Sequence, residues 1–248
     1  MAEAEGPSES PAEIPAGIPA GIPAEIPAGI PAGTPSETPA ENRAETPAES
    51  PARPSEPKAI LLDRDGVLNR ERGFIHGPEE LEPREGLLEA LRTWKREGFL
   101  LLVVSNQSGI ARQLFHLDDL RRTHARLQEF CGGLLDAIYI CPHHPEEGFA
   151  PLLRSCPCRK PGSGMLRQAL REWGLRPENC LLLGDAPRDL FAARSLGIKA
   201  ALMTGDKVPT PDHWPRDQAP LPTFLPDLRS AVAWTLEVLT DPGLKEDA

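Results

Sequence analysis

From Lys58 onward the chain repeats one device: a short, continuously apolar run followed at once by polar residues. The runs occupy 59–62, 99–104, 137–140, 181–183 and 200–203. Each is bounded by charge, Gly or Pro, the pattern of parallel strands buried on both faces. Helical stretches lie between them. Residues 86–97 place Leu87, Leu88, Leu91 and Trp94 on one side, and 117–130 opens with Asp118 and Asp119 in its first turn. The stretches 164–173 and 188–196 follow, and 227–239 adds one more beyond a proline-rich connection at 209–226. Strand and helix in alternation predict an α/β fold built on a doubly wound parallel sheet. Such sheets bind ligands beyond the carboxyl ends of their strands. The polar clusters fall there: Asp63-Arg64-Asp65, Ser105-Asn106-Gln107, Cys141-Pro142-His143-His144 and Gly184-Asp185.

Residues 1–57 obey different rules. They hold 13 of the 29 prolines, eight of them at every fourth position from Pro11 to Pro39, and no aromatic residue. Proline removes a backbone donor and turns the residue before it away from the helical region. A segment this regular in proline is expected to build neither ladder nor core, and so to be a disordered, partly polyproline-like tail. The predicted organisation is therefore a tail over 1–57 and one folded domain over 58–248.

Charge divides at the same point. The tail carries ten Glu against Arg43 and Arg53, so it supplies −8 of the net −10, and the folded part is nearly neutral. No basic stripe points to nucleic acid, and the longest apolar run is too short to span a bilayer. The acidic start has no basic or apolar leader region, which predicts a cytoplasmic protein. A small-molecule substrate and a monomer are the expectation.

Asp63 and Asp65 stand two apart at a predicted strand end, and Asp185 arrives at another. Converging carboxylates repel unless a cation offsets them, and Mg²⁺ with its oxygen ligands would do so. The surrounding residues sharpen this. Asp63-Arg64-Asp65-Gly66-Val67-Leu68-Asn69 resembles the first motif of the haloacid dehalogenase superfamily, Ser105 its second, Lys160 its third, and Gly184-Asp185-Ala186-Pro187-Arg188-Asp189 its fourth. The resemblance covers nearly all of 58–204 and implies a phosphatase of Rossmann-like fold without a large cap domain. It implies Asp63 as nucleophile, Asp65 as acid and base, and Ser105 and Lys160 as ligands of the phosphoryl oxygens. Mg²⁺ would sit on Asp63, Asp185 and the main-chain carbonyl of Asp65. Asp189 would orient Lys160 or a metal-bound water.

A second metal is written between the motifs. Cys141-Pro142-His143 and Cys156-Pro157-Cys158 form a C-x-H…C-x-C set with 12 residues between His143 and Cys156. Three thiolates and an imidazole suit tetrahedral Zn²⁺, and a full set of protein ligands makes the site structural. The zinc loop, 141–158, would thereby position Arg159 and Lys160. His144 is read as a loop or pocket residue.

Within the superfamily the zinc loop resembles two groups, the heptose 1,7-bisphosphate 7-phosphatases and the histidinol-phosphate phosphatases. Ser105-Asn106-Gln107-Ser108-Gly109-Ile110-Ala111-Arg112 resembles the former. That resemblance implies substrate contacts from Glu71, Arg72, Gly73, Phe74, Asn106, Gln107, Ser108, Arg112 and Arg159, and a sugar bisphosphate as substrate. The anomer is left open, histidinol phosphate is the rival substrate, and an inactive scaffold with a partner-binding tail is the non-enzymatic alternative.

Overall fold

In the computed structural model the described residues are 29–31, 56–204, 214 and 221–240. Five parallel strands fall where the apolar runs predict them: β2 Lys58–Leu62, β3 Phe99–Asn106, β4 Ala137–Cys141, β5 Cys180–Gly184 and β6 Lys199–Met203. The helices are α1 Leu87–Arg96, α2 Leu117–Phe130, α3 Gly164–Glu172, α4 Pro187–Arg194 and α5 Leu228–Thr240. Two further strands depart from expectation. β7, Thr223–Leu225, lies inside the proline-rich connection and pairs parallel to β6. β1, Gly29–Pro31, lies inside the proline-rich tail and pairs antiparallel to β4.

The expectation that the tail builds no ladder therefore does not hold for these three residues. Two of them keep their N–H groups between Pro27 and Pro31, and an edge strand tolerates a proline that a central strand does not. The rest of 1–55 lies outside the described residues, and with it the expectation of disorder.

The sheet runs β1-β4-β3-β2-β5-β6-β7, with β2 between β3 and β5. Alternation along β2 divides the core in two. Ile60 and Leu62 face a layer shared with Leu87, Trp94, Leu127 and Leu228, from α1, α2 and α5. Ala59 and Leu61 face Met165, Leu166, Ala169 and Ala192, from α3 and α4. Both faces are thus covered, which is why these strands read as unbroken apolar runs. α5 is built into this domain rather than appended to it, since the buried Trp94 Nε1 donates to Thr235 Oγ1 at 2.7 Å. Among the described residues no helix is long and apolar enough to cross a membrane.

Chain order reverses direction on either side of β2, so the carboxyl ends of β2, β3 and β5 open onto one crevice. Each ends in one of the polar clusters.

Candidate active site

Asp63 follows β2 directly, and its backbone N–H donates to the Leu183 carbonyl at 2.9 Å, so β5 fixes its position. The Arg64 amide donates to Asp63 Oδ1 at 2.7 Å. The other oxygen, Oδ2, lies 3.0 Å from Lys160 Nζ. That ammonium is fully buried; it reaches Asp189 Oδ1 at 2.6 Å and donates to the Val104 carbonyl at 2.8 Å. Its backbone is clamped as well. Asn106 at the end of β3 accepts from the Lys160 amide through Oδ1 and donates to the Lys160 carbonyl through Nδ2, each at 3.0 Å.

Asp189 serves two purposes from the first turn of α4. Its Oδ2 accepts from the Ala186 amide at 3.1 Å, capping the helix start, while Oδ1 faces Lys160. Gly184 makes this approach possible, because a Cβ there would overlap the Asp189 side chain. Gly66 does the same on the other side. It takes φ of +79° and a Cβ on it would overlap Asp185.

Asp65 is held separately. Arg64 Nη2 reaches its Oδ2 at 2.9 Å, Asn69 Nδ2 donates to Oδ1 at 3.1 Å, and Gln107 Nε2 donates to Oδ2 at 3.2 Å. Gln107 Nε2 also donates to Ser105 Oγ at 2.8 Å, tying the ends of β2 and β3 together. Burial works to raise the pKa of Asp65, but the Arg64 guanidinium and the Asn69 and Gln107 donors outweigh it and hold it below the usual range. Arg64 and Asn69, which the motif resemblance left without a role, thus hold the Asp65 carboxylate. The signal was present, since a buried carboxylate needs donors and the flanking residues carry them.

These groups line a cleft of about 210 Å³. Its walls include Asp63, Asp65, Glu71, Gly73, Phe74, Ser105, Asn106, Gln107, Ser108 and Arg159, all predicted site residues, and also Arg188. Lys160 lies beneath the floor. Arg72 and Arg112 are not on the cleft wall. Arg72 is exposed and paired with Glu82. Arg112 is 2.6 Å from Glu147 and 3.0 Å from His144 Nε2, with its guanidinium over the Phe74 ring. Arg188 stands on the wall although the motif resemblance gave it no role.

The family model for haloacid dehalogenase-like hydrolases matches residues 44–197. This chain belongs to that family. Similar curated proteins include the D-glycero-beta-D-manno-heptose-1,7-bisphosphate 7-phosphatases of Haemophilus ducreyi and Pasteurella multocida. The first is 39% identical over 59% of this chain and 82% of its own length, and the second 40% identical over 59% and 80%. Among solved structures, the D,D-heptose 1,7-bisphosphate phosphatase of B. bronchiseptica, crystallised with magnesium and phosphate, superposes with a TM-score of 0.62. It is 31% identical and matches 73% of this chain and 98% of its own.

Two clusters in this haloacid dehalogenase-like hydrolase have the donor sets of metal sites. One carboxylate oxygen from each of Asp63, Asp185 and Asp189 lies within 4.8 Å of the other two, and all three residues are buried. Burial, with mutual repulsion added, pushes Asp63 up to about 6 and Asp185 up to about 8, although Lys160 and Arg188 pull both down. Two cations are therefore too few for the carboxylates gathered here, and the set fits a hard divalent ion. Asp189 also caps the helix start, and Asp63 and Asp185 remain the side chains expected to hold the ion.

The second cluster is Cys141, His143, Cys156 and Cys158. Cys158 Sγ is 3.0 Å from Cys141 Sγ and 2.7 Å from Cys156 Sγ, and His143 Nδ1 faces two of the sulfurs at 3.6 Å. All three cysteines are free thiols. The hydrogen bond to Cys141 and burial raise the Cys158 thiol far above its ordinary value. Just beyond it, Arg159 donates to the His143 carbonyl at 3.2 Å.

Raised carboxylate pKa values give a direct test. A group whose folded pKa is raised holds its proton below that value, and a metal must displace it. Asp63 and Asp185 compete with protons over a window from below about 6 up to about 8. Mg²⁺ is therefore expected to raise the melting temperature by several degrees at about pH 8 and by much less at about pH 5. Scanning calorimetry with and without the ion measures this. A shift equal at both pH values would contradict the carboxylate site.

Proposed function

We propose that the chain is a Mg²⁺-dependent phosphomonoesterase that works through an aspartyl-phosphate on Asp63. The observation that carries this is the disposition of the two carboxylates on the cleft. Asp63 is anchored by Lys160 and the Arg64 amide, while Asp65 is held apart by its own set of donors. The oxygen of Asp63 attacks phosphorus and the ester P–O bond breaks. The leaving alkoxide takes a proton from Asp65. Water then attacks the aspartyl-phosphate, gives its proton to Asp65, and the P–O bond to Asp63 breaks to release phosphate. One hard displacement becomes two easier ones.

Asp65 is ionised in the resting protein, so substrate itself must supply the change. A phosphate dianion placed beside it raises its pKa and lets it carry the proton it donates. Ser105, whose hydroxyl is oriented by Gln107, donates to a phosphoryl oxygen. Asp63, Asp185 and the main-chain carbonyl of Asp65 would hold Mg²⁺. The bound ion supplies positive charge against the charge that builds on the phosphoryl oxygens.

For the substrate we take D-glycero-β-D-manno-heptose 1,7-bisphosphate, hydrolysed at the 7-phosphate. The curated relatives carry that name at 39% and 40% identity. The cleft supports it with the polar strip Asn106, Gln107 and Ser108 for sugar hydroxyls and Arg159 for an anion. Zn²⁺ on Cys141, His143, Cys156 and Cys158 would clip the loop that carries Arg159 and Lys160.

Two measurements bear on this reading. The ratio kcat/KM for the β-anomer is expected to exceed that for the α-anomer, fructose 1,6-bisphosphate and histidinol phosphate by tenfold or more, about 1.4 kcal/mol in transition-state binding. Asp63→Asn removes turnover of all of them. Histidinol phosphate winning by tenfold would replace the sugar reading and keep the phosphatase. Elemental analysis of protein purified without chelator is expected to find one zinc per chain, and Cys156→Ser to lose it. Zinc-free, reduced, active protein would overturn the structural site.

A further inference from the structure

The cations around the cleft are unequally committed. Lys160 Nζ donates to the Val104 carbonyl at 2.8 Å and is ion-paired with Asp63 at 3.0 Å and Asp189 at 2.6 Å. It is buried and held against Asp63 and Asp189. Arg112 is paired with Glu147 and His144 and lies over Phe74, just behind the cleft wall. Arg64 is buried and turned to Asp65.

Arg188 is different. It stands on the second residue of α4, on the cleft wall, with its side chain 43% exposed. Its Nη2 is 3.3 Å from Asp185 Oδ1 and 4.0 Å from Asp63 Oδ2. Both contacts are long and use one nitrogen, so the guanidinium fork is not closed on either carboxylate. A guanidinium has five N–H donors in a plane that matches two oxygens of a phosphate.

Resting on the phosphatase reading above, we propose that Arg188 donates to the oxygens of the phosphoryl group undergoing transfer and is a catalytic residue of this enzyme. Geometry favours this over a grip on the distant end of the substrate. A phosphorus poised for attack sits about 3–3.5 Å from the Asp63 oxygen. A donor 4.0 Å from that same carboxylate is therefore beside the reacting group, where charge develops. Seated on α4 only one residue before Asp189, Arg188 is held in register with the Lys160 network without belonging to it.

The test uses two esters: p-nitrophenyl phosphate, which has one phosphate, and fructose 1,6-bisphosphate, which has two. Arg188→Ala is expected to lower kcat/KM by about tenfold to a hundredfold on both esters alike, and to weaken inhibition by orthovanadate by a similar factor. Arg188→Lys recovers part of both. The melting temperature of each variant, read alongside, stays close to wild type, as expected for a half-exposed side chain. Loss confined to the bisphosphate would overturn the proposal and put Arg188 on the distal group. Unchanged rates and unchanged vanadate inhibition, in protein whose activity Asp63→Asn still abolishes, would reduce it to a local partner of the carboxylates. If the wild type hydrolyses neither these esters nor the heptose bisphosphate, the phosphatase reading falls first and this proposal with it.

Discussion

Lys160 buries its ammonium completely, and the arrangement of four separate chain segments follows from what that buried charge requires. Taking an ammonium out of water costs several kcal/mol in a protein interior, and only close opposite charge and full hydrogen bonding offset it. Burial works against the charged form of Lys160, yet Asp189 and Asp63 outweigh it and its pKa stands above the ordinary value. The end of β2, the end of β3, the first turn of α4 and the segment after the thiol cluster must therefore meet at one point. Losing Asp189 or Asp63 would weaken that compensation, so the same contacts that hold the fold here also fix the position of Asp63.

The thiol loop gains its meaning from this point. It ends on Cys158, and Lys160 comes two residues later with its backbone held on both sides by Asn106. Its other end packs on the turn after β3, where the Phe149 amide donates to the Ala111 carbonyl at 3.1 Å and Glu147 meets Arg112. Leu152 of this loop is buried in the core with Phe149 packed against it, but 154–158 carries no large apolar side chain. A structural ion there would transmit order to Arg159 on one side and to the Phe74–Arg112 stack on the other. The cleft is then walled by loops braced by chemistry rather than by a separate covering domain.

Much of this is legible in the amino-acid sequence. Continuous apolar runs mark the buried parallel strands to within a residue or two at each end, because strands covered on both faces carry no alternation to confuse the reading. β7 escapes because Thr223-Phe224-Leu225 is a three-residue run between Pro222 and Pro226, and its hydrogen bonds come from β6, a partner that no local pattern reveals. β1 escapes for the same reason. At the site, spacing locates Asp63, Asp65, Asp185 and both metal-type clusters, since chemistry fixes which residue types stand together. It does not show direction. Arg112 turns to Glu147 and Arg72 to Glu82, while Arg188 turns inward, and those choices depend on which acids fold up beside them.

The central claim is that Asp63 becomes covalently phosphorylated while Asp65 does not. Quenching the reaction in acid within its first turnovers, with substrate radiolabelled at the phosphate that leaves, captures the intermediate directly. Tryptic cleavage after Lys58 and Arg64 separates the two carboxylates, placing Asp63 on the 59–64 peptide and Asp65 on the next. Label is expected on the 59–64 peptide, lost on chasing with unlabelled substrate and absent in Asp63→Asn. Label on the peptide that begins at Asp65, or turnover at full rate with no label on protein at any time, would contradict it.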